Sequence, residues 1–262
     1  MFELFAEVRG TGPAVVLLHG QPGSSADWAA VAARLDDRFT VVVPDRPGYG
    51  HTGGQAGGFR ENAAAVIGLL DRLGIRQATI AGHSWSGGVA IALAGQAPDR
   101  VGGLVLVASV SPLEPPGILD RALAVSPFRG LAAASLNLTG WFLSLRPVRR
   151  LLAARLLGAP NDAAAAVATA WRQGHMGQSF ITEQRALVDE LPGLAAGLRD
   201  IAAPAGIVVG EADHIVPAPA GARLAAALPR GRLIRLPGAG HLLPYQQPEA
   251  IVAAIEEISG SA

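Results

Sequence analysis

The chain has 262 residues, with 21 basic and 21 acidic side chains and a formal net charge of zero. Half of the residues are hydrophobic and 16% are charged, which excludes a disordered chain and leaves no net field to draw nucleic acid or an anionic membrane. There is no cysteine, which excludes disulfides, a cysteine nucleophile and thiolate metal sites.

From the N-terminus, Met1-Phe2-Glu3-Leu4-Phe5 has an early acid and no basic segment before an apolar run, so no signal peptide is expected. Residues 2–8 alternate in polarity and suit an edge strand. Continuous apolar runs then follow at 14–18, 40–43, 78–81, 104–108, 207–209 and 233–236, each ending at a turn residue or a small residue. Strands buried on both faces have this pattern. Between them, residues 27–35, 60–73, 85–96, 218–228 and 248–258 carry apolar side chains at helical spacing. Alternating strands and helices predict one α/β domain with a mostly parallel sheet. From about 111 to 201 no strand pattern appears, only alanine- and leucine-rich helical stretches punctuated by prolines. A helical insertion over the C-terminal edge of the sheet is expected there, where open α/β folds bind ligands. The most apolar part, residues 118–145, is broken by Asp120, Arg121 and Arg129, so a membrane helix is not expected. The basic group Arg146, Arg149, Arg150 and Arg155 reads as a solvated helix face. A soluble cytoplasmic protein, acting on a small molecule and not on nucleic acid or membrane, is the expectation.

Chemistry concentrates at four strand ends. Gly82-His83-Ser84-Trp85-Ser86-Gly87-Gly88 follows one apolar run and opens a helical one. A serine on a sharp strand-to-helix turn is held exposed, and small neighbours let the chain turn. Ser84 is therefore the candidate nucleophile; Ser86 stands where glycine is usual. A serine needs a base, and His241, in the loop after the last strand, can take and return a proton near neutral pH. Asp213, after the 207–209 run, is the candidate to orient that histidine, with Glu211 its rival. The chain order serine, aspartate, histidine matches that of one known arrangement of these groups. The backbone N–H groups of Gln21, in His19-Gly20-Gln21-Pro22-Gly23, and of Trp85 are the candidate oxyanion donors. Trp141, Trp171, His175 and Met176 are candidates to line a substrate pocket. No two histidines sit with a carboxylate at ligand spacing, so no metal is expected, and no cofactor is required.

These motifs, with Asp45-Arg46-Pro47-Gly48-Tyr49-Gly50, resemble the α/β-hydrolase superfamily over nearly the whole chain, within its esterase, epoxide-hydrolase and haloalkane-dehalogenase-like branch. The resemblance implies a sheet of about eight strands. It also implies a hydrolase core over 1–110 and 202–262 and a helical cap over 111–201. Asp45 and Arg46 are expected to form a salt-linked loop bracing the site. Epoxide hydrolases and haloalkane dehalogenases are similar but carry aspartate at the nucleophile position, so Ser84 favours acyl transfer. The expected substrate is a small, largely apolar ester, lactone or related acyl compound. Carbon–carbon bond hydrolysis would use the same residues. So would a peptidase resembling proline iminopeptidase, which would need Glu183, Asp189 or Glu190 to hold a free amine. A slow-turnover receptor is the rival of another class.

Overall fold

A computed structural model describes residues 3–125, 133–135 and 176–260. The candidates Trp141, Trp171 and His175 lie outside the described residues.

Seven strands form one sheet: β1 (Ala6–Arg9), β2 (Ala14–Leu18), β3 (Thr40–Pro44), β4 (Ala78–His83), β5 (Val101–Val107), β6 (Ala205–Gly210) and β7 (Gly231–Leu236). Their spatial order is β1-β3-β2-β4-β5-β6-β7. Only β1 is antiparallel to its neighbour. Among the described residues the sheet has seven strands, beside the roughly eight expected. The edge strand is also shorter than the alternation suggested. The amide of Phe5 donates to Thr52 Oγ1 at 2.9 Å instead of joining a ladder, so pairing starts at Ala6.

The central strands are rich in β-branched residues and are buried on both faces, and period two divides them between two cores. Val16 and Leu18 face one side with Phe59, Leu69, Val89 and Leu93. Val15 and Leu17 face the other with Trp28, Leu35, Ile251 and Ile255. Helices α1 (Ala29–Leu35), α2 (Phe59–Arg72) and α3 (Trp85–Gln96) follow β2, β3 and Ser84. Every residue of α3 from Trp85 to Ala94 is buried, so it runs through the core and does not lie on its surface. Gly88 permits this: a Cβ there would meet the Phe59 ring at 2.4 Å.

After β5 come α4 (Ile118–Val125), α5 (Met176–Asp189) and a 3-10 stretch, Leu191–Asp200, with α4 packed on α5. No strand occurs between β5 and β6 among the described residues. Helices α6 (Ala218–Ala227), α7 (Leu243–Gln246) and α8 (Pro248–Gly260) complete the order. No helix among the described residues is long and apolar enough to cross a membrane. The chain leaves β2 for β3 on one side and then crosses to β4 on the other. The C-terminal ends of β2 and β4 therefore flank a switch point, where a crevice opens.

Candidate active site

Gln21 follows β2, Ser84 follows β4, Asp213 follows β6 and His241 follows β7. Parallel strands bring all four to one edge of the sheet. Ser84 has φ 53° and ψ −118°, in the left-handed half of backbone space that a side chain other than glycine's seldom enters. The surroundings hold it there. Its N–H donates to Val107 O at 2.9 Å, and its carbonyl accepts from Gly87 N at 3.0 Å and Val110 N at 3.1 Å. Gly82 allows the turn, since a Cβ there would meet Ser86 O at 2.4 Å. The Ser84 hydroxyl does not cap α3. It lies 2.9 Å from His241 Nε2.

His241 Nδ1 lies 2.8 Å from Asp213 Oδ2. A carboxylate accepts, so Nδ1 carries the proton and Nε2 is left to accept from the Ser84 hydroxyl. The other oxygen of Asp213 accepts from Ile215 N at 2.8 Å and Val216 N at 2.9 Å. Burial pushes the Asp213 carboxyl up, but the hydrogen bonds from His241 and the two amides outweigh it and hold the group below its ordinary range. Glu211, the rival acid, points to solvent with Arg235 3.8 Å away. The histidine loop reaches β6 because Gly210 has no side chain: a Cβ there would meet the carbonyls of Ala239 and Gly240 at 2.4 Å. His83 donates from Nε2 to the carbonyl of His241 at 2.9 Å. Its pKa is pushed down to about 3 by burial and by the neighbouring His241, so it is neutral and acts as a fixed donor.

The loop after β2 lies tight against the serine turn. A Cβ on Gly20 would meet His83 Nδ1 at 2.8 Å. Arg46 holds this loop: Nε donates to His19 O at 3.0 Å and Nη2 to Gly20 O at 2.9 Å. The Ser86 hydroxyl also donates to His19 O, so serine at the usual glycine position adds a tie to the same loop. Arg46 is fully buried; it pairs with the equally buried Glu183 of α5, and its guanidinium lies 4.7 Å from the centres of both the Tyr49 and Trp85 rings. Tyr49 donates to Glu183 at 2.6 Å. The expected salt-linked loop is closed by Arg46 with Glu183, and Asp45 takes no part in that pair. Asp45 instead accepts from the amides of Ser25 and His51, each at 2.7 Å, because its carboxylate turns toward the loop and Arg46 turns toward α5. Both candidate oxyanion residues are tied to α5 by their side chains. Gln21 Nε2 donates to Phe180 O at 2.9 Å and Trp85 Nε1 to Glu183 O at 3.2 Å.

A cavity of about 620 Å³ opens on Ser84, His241, Gln21 and Trp85. Its other walls come from the segment after β5, from α5, and from the loop after Asp213, with Phe180, Leu187, Leu191 and Val216 among them. Met176 does not join them. It is fully buried against Tyr49, so the expected pocket role gives way to packing. Glu183 is engaged by Arg46 and Tyr49 and is not free to hold a substrate amine. No cluster of metal-ligating side chains occurs among the described residues. Nothing local in the sequence pointed to Glu183 as the partner of Arg46, 137 residues away.

A serine, a histidine and an aspartate are thus hydrogen-bonded to one another at the C-terminal edge of an α/β sheet. The chain belongs to the Alpha/beta hydrolase family, whose model matches residues 15–254. It is 31% identical to a pimeloyl-[acyl-carrier protein] methyl ester esterase of Nitrosomonas europaea, over 98% of this chain and 100% of that protein. It is 28% identical to a 2-(acetamidomethylene)succinate hydrolase of Mesorhizobium japonicum, over 94% of this chain and 88% of that one. Among solved structures, a thermophilic esterase from Thermogutta terrifontis is similar, with a TM-score of 0.79 and 25% identity over 97% of this chain and 92% of its own. The protein is an enzyme of this family.

Proposed function

We propose that the protein hydrolyses a small, largely apolar ester, lactone or related acyl compound through an acyl-enzyme on Ser84. The observation that carries the proposal is the continuous hydrogen-bonded chain from Ser84 through His241 to Asp213. His241 Nε2 takes the hydroxyl proton as Ser84 Oγ attacks the acyl carbon. The negative oxygen that forms is held by the backbone N–H groups of Gln21 and Trp85. Donors of this kind each contribute about 10²–10³-fold in rate. His241 then returns the proton to the leaving alcohol, and water, deprotonated by the same imidazole, releases the acid. Asp213 holds the tautomer and stabilises the imidazolium. No step calls for a cofactor.

The segment 111–201 acts as the cap in this proposal, and α5 is its anchor on the core. The mostly apolar cavity supports an apolar substrate, and the esterase names of two relatives support an ester bond. The test is turnover across a panel of short p-nitrophenyl esters, lactones and amides. Wild-type protein is expected to hydrolyse the esters or lactones, and Ser84→Ala to lose at least about 10³-fold in kcat. Wild-type turnover by Ser84→Ala would refute the assignment.

A further inference from the structure

Gln21 carries a candidate oxyanion donor, and the chain on each side of it is held by a buried side chain. Before it, Arg46 bonds the carbonyls of His19 and Gly20. After it, Pro22 has no N–H to give, and the next anchor is Asp27. Asp27 is buried, and its Oδ2 accepts from Ser24 N at 3.2 Å. Gly23 lies against the same oxygen, with which a Cβ would collide.

The other oxygen of Asp27 faces a different part of the site. Oδ1 accepts from the Tyr245 hydroxyl at 2.6 Å. Tyr245 belongs to α7, which starts two residues after His241. That short helix is bonded to the histidine loop. Gln246 Oε1 accepts from Gly240 N at 2.9 Å, and Leu243 N donates to His241 O at 2.9 Å. One buried carboxylate therefore joins the loop of the oxyanion donor to the loop of the base. A carboxylate suits this task because each of its oxygens accepts, whereas asparagine has one acceptor oxygen and serves one side only. Burial pushes the Asp27 carboxyl up to about 6, against the hydrogen bonds from Tyr245 and Ser24, so at pH 7.5 it is ionised and both oxygens accept. Neither Asp27 nor Tyr245 lines the cavity.

We propose that Asp27 and Tyr245 are positioning residues, which fix the Gln21 N–H and the His241 imidazole relative to each other across the Ser84 hydroxyl. The inference rests on the ester-hydrolase proposal and adds to it the link that holds donor and base in register. Attack on an acyl carbon uses both at once: the base takes the proton while the donor receives the negative oxygen. A misplacement of about 1 Å costs up to about a hundredfold in rate. Docking of a substrate against the cavity walls does not use that register, so the loss falls on kcat and not on KM.

The experiment measures kcat and KM at pH 7.5 on the best p-nitrophenyl ester for wild type, Tyr245→Phe, Asp27→Asn and the double variant. Active sites are titrated with a fluorophosphonate, so that unfolded molecules do not enter kcat. Tyr245→Phe removes only the hydroxyl and is expected to lower kcat by about tenfold to a hundredfold, with KM within about twofold. Asp27→Asn is expected to act in the same way. The double variant is expected to be no slower than the slower single one, since both substitutions cut one link. If Asp27→Asn does not fold, Tyr245→Phe decides alone. Wild-type kcat in Tyr245→Phe, a raised KM at constant kcat, or losses that multiply in the double variant would overturn the proposal. A purely structural pair would lower the thermal midpoint and leave kcat per titrated site unchanged, which also overturns it. Failure of the underlying reading looks different. In that case wild type turns over no ester and the fluorophosphonate leaves Ser84 unlabelled, and both proposals fall together.

Discussion

Asp213 accepts three hydrogen bonds and is held ionised, so His241 Nδ1 always has an acceptor and Nε2 always faces the serine. Asparagine at 213 would offer an N–H to Nδ1 and turn the tautomer the wrong way. Asp213→Asn is expected to lower kcat by about 10³–10⁴-fold on the best ester, measured with denaturation curves as a control for folding. Glu211→Gln, two residues earlier and exposed beside Arg235, is expected to leave kcat within twofold of wild type. The choice between these two acids was only partly legible in the sequence. Both follow the same strand, and chain order favours neither. What decides is the turn at 213–216, whose amides point back at the Asp213 carboxylate. The meaning of Ser86 was also hidden, because its partner, the carbonyl of His19, lies 67 residues earlier in the chain.

Helix α5 is where the segment after β5 meets the catalytic edge. Its Glu183 closes a buried pair with Arg46, and Arg46 holds the two carbonyls that precede Gln21. Breaking one side of a buried ion pair leaves an uncompensated charge, which costs about 3–5 kcal/mol. Glu183→Leu is expected to lose stability on that scale in urea titrations. The double variant Glu183→Leu, Arg46→Met is expected to recover most of it, while kcat stays low because the His19–Gly20 carbonyls have lost their donors. Recovery of both stability and full kcat would mean that Arg46 has no part in holding the loop. The element pattern itself was readable, since burial on both faces makes the central strands continuous apolar runs. The network was not. It joins charged residues of different motifs, and a buried arginine has the same sequence appearance as an exposed one.

The whole molecule places two neutral histidines in its interior. His19 and His83 are each pushed down to about 3, His19 by burial and the Arg46 charge, His83 by burial and His241. The unfolded chain binds protons at these positions below about pH 6.5, and the folded one does not, so their contribution to stability is full above 6.5 and is lost as pH falls. Asp27, buried and pushed up to about 6, acts in the opposite sense, since its folded form gains a proton first. His83→Gln keeps an N–H for the carbonyl of His241 and removes one of the two titrations. Between pH 6.5 and 5 its stability is expected to fall less steeply than that of wild type, by about one proton in the linkage slope. Equal slopes would show that His83 is protonated in the fold.

At the same scale, the account requires that groups 28 and 157 residues from His241 in the chain act as one unit at the C-terminal edge of the sheet. The most direct measurement is peptide mapping by mass spectrometry after exposure to a fluorophosphonate at neutral pH. A single adduct on Ser84, formed at a rate that collapses in His241→Ala, is the predicted result. An adduct on another serine, or labelling of Ser84 that proceeds undiminished without the imidazole, would contradict it.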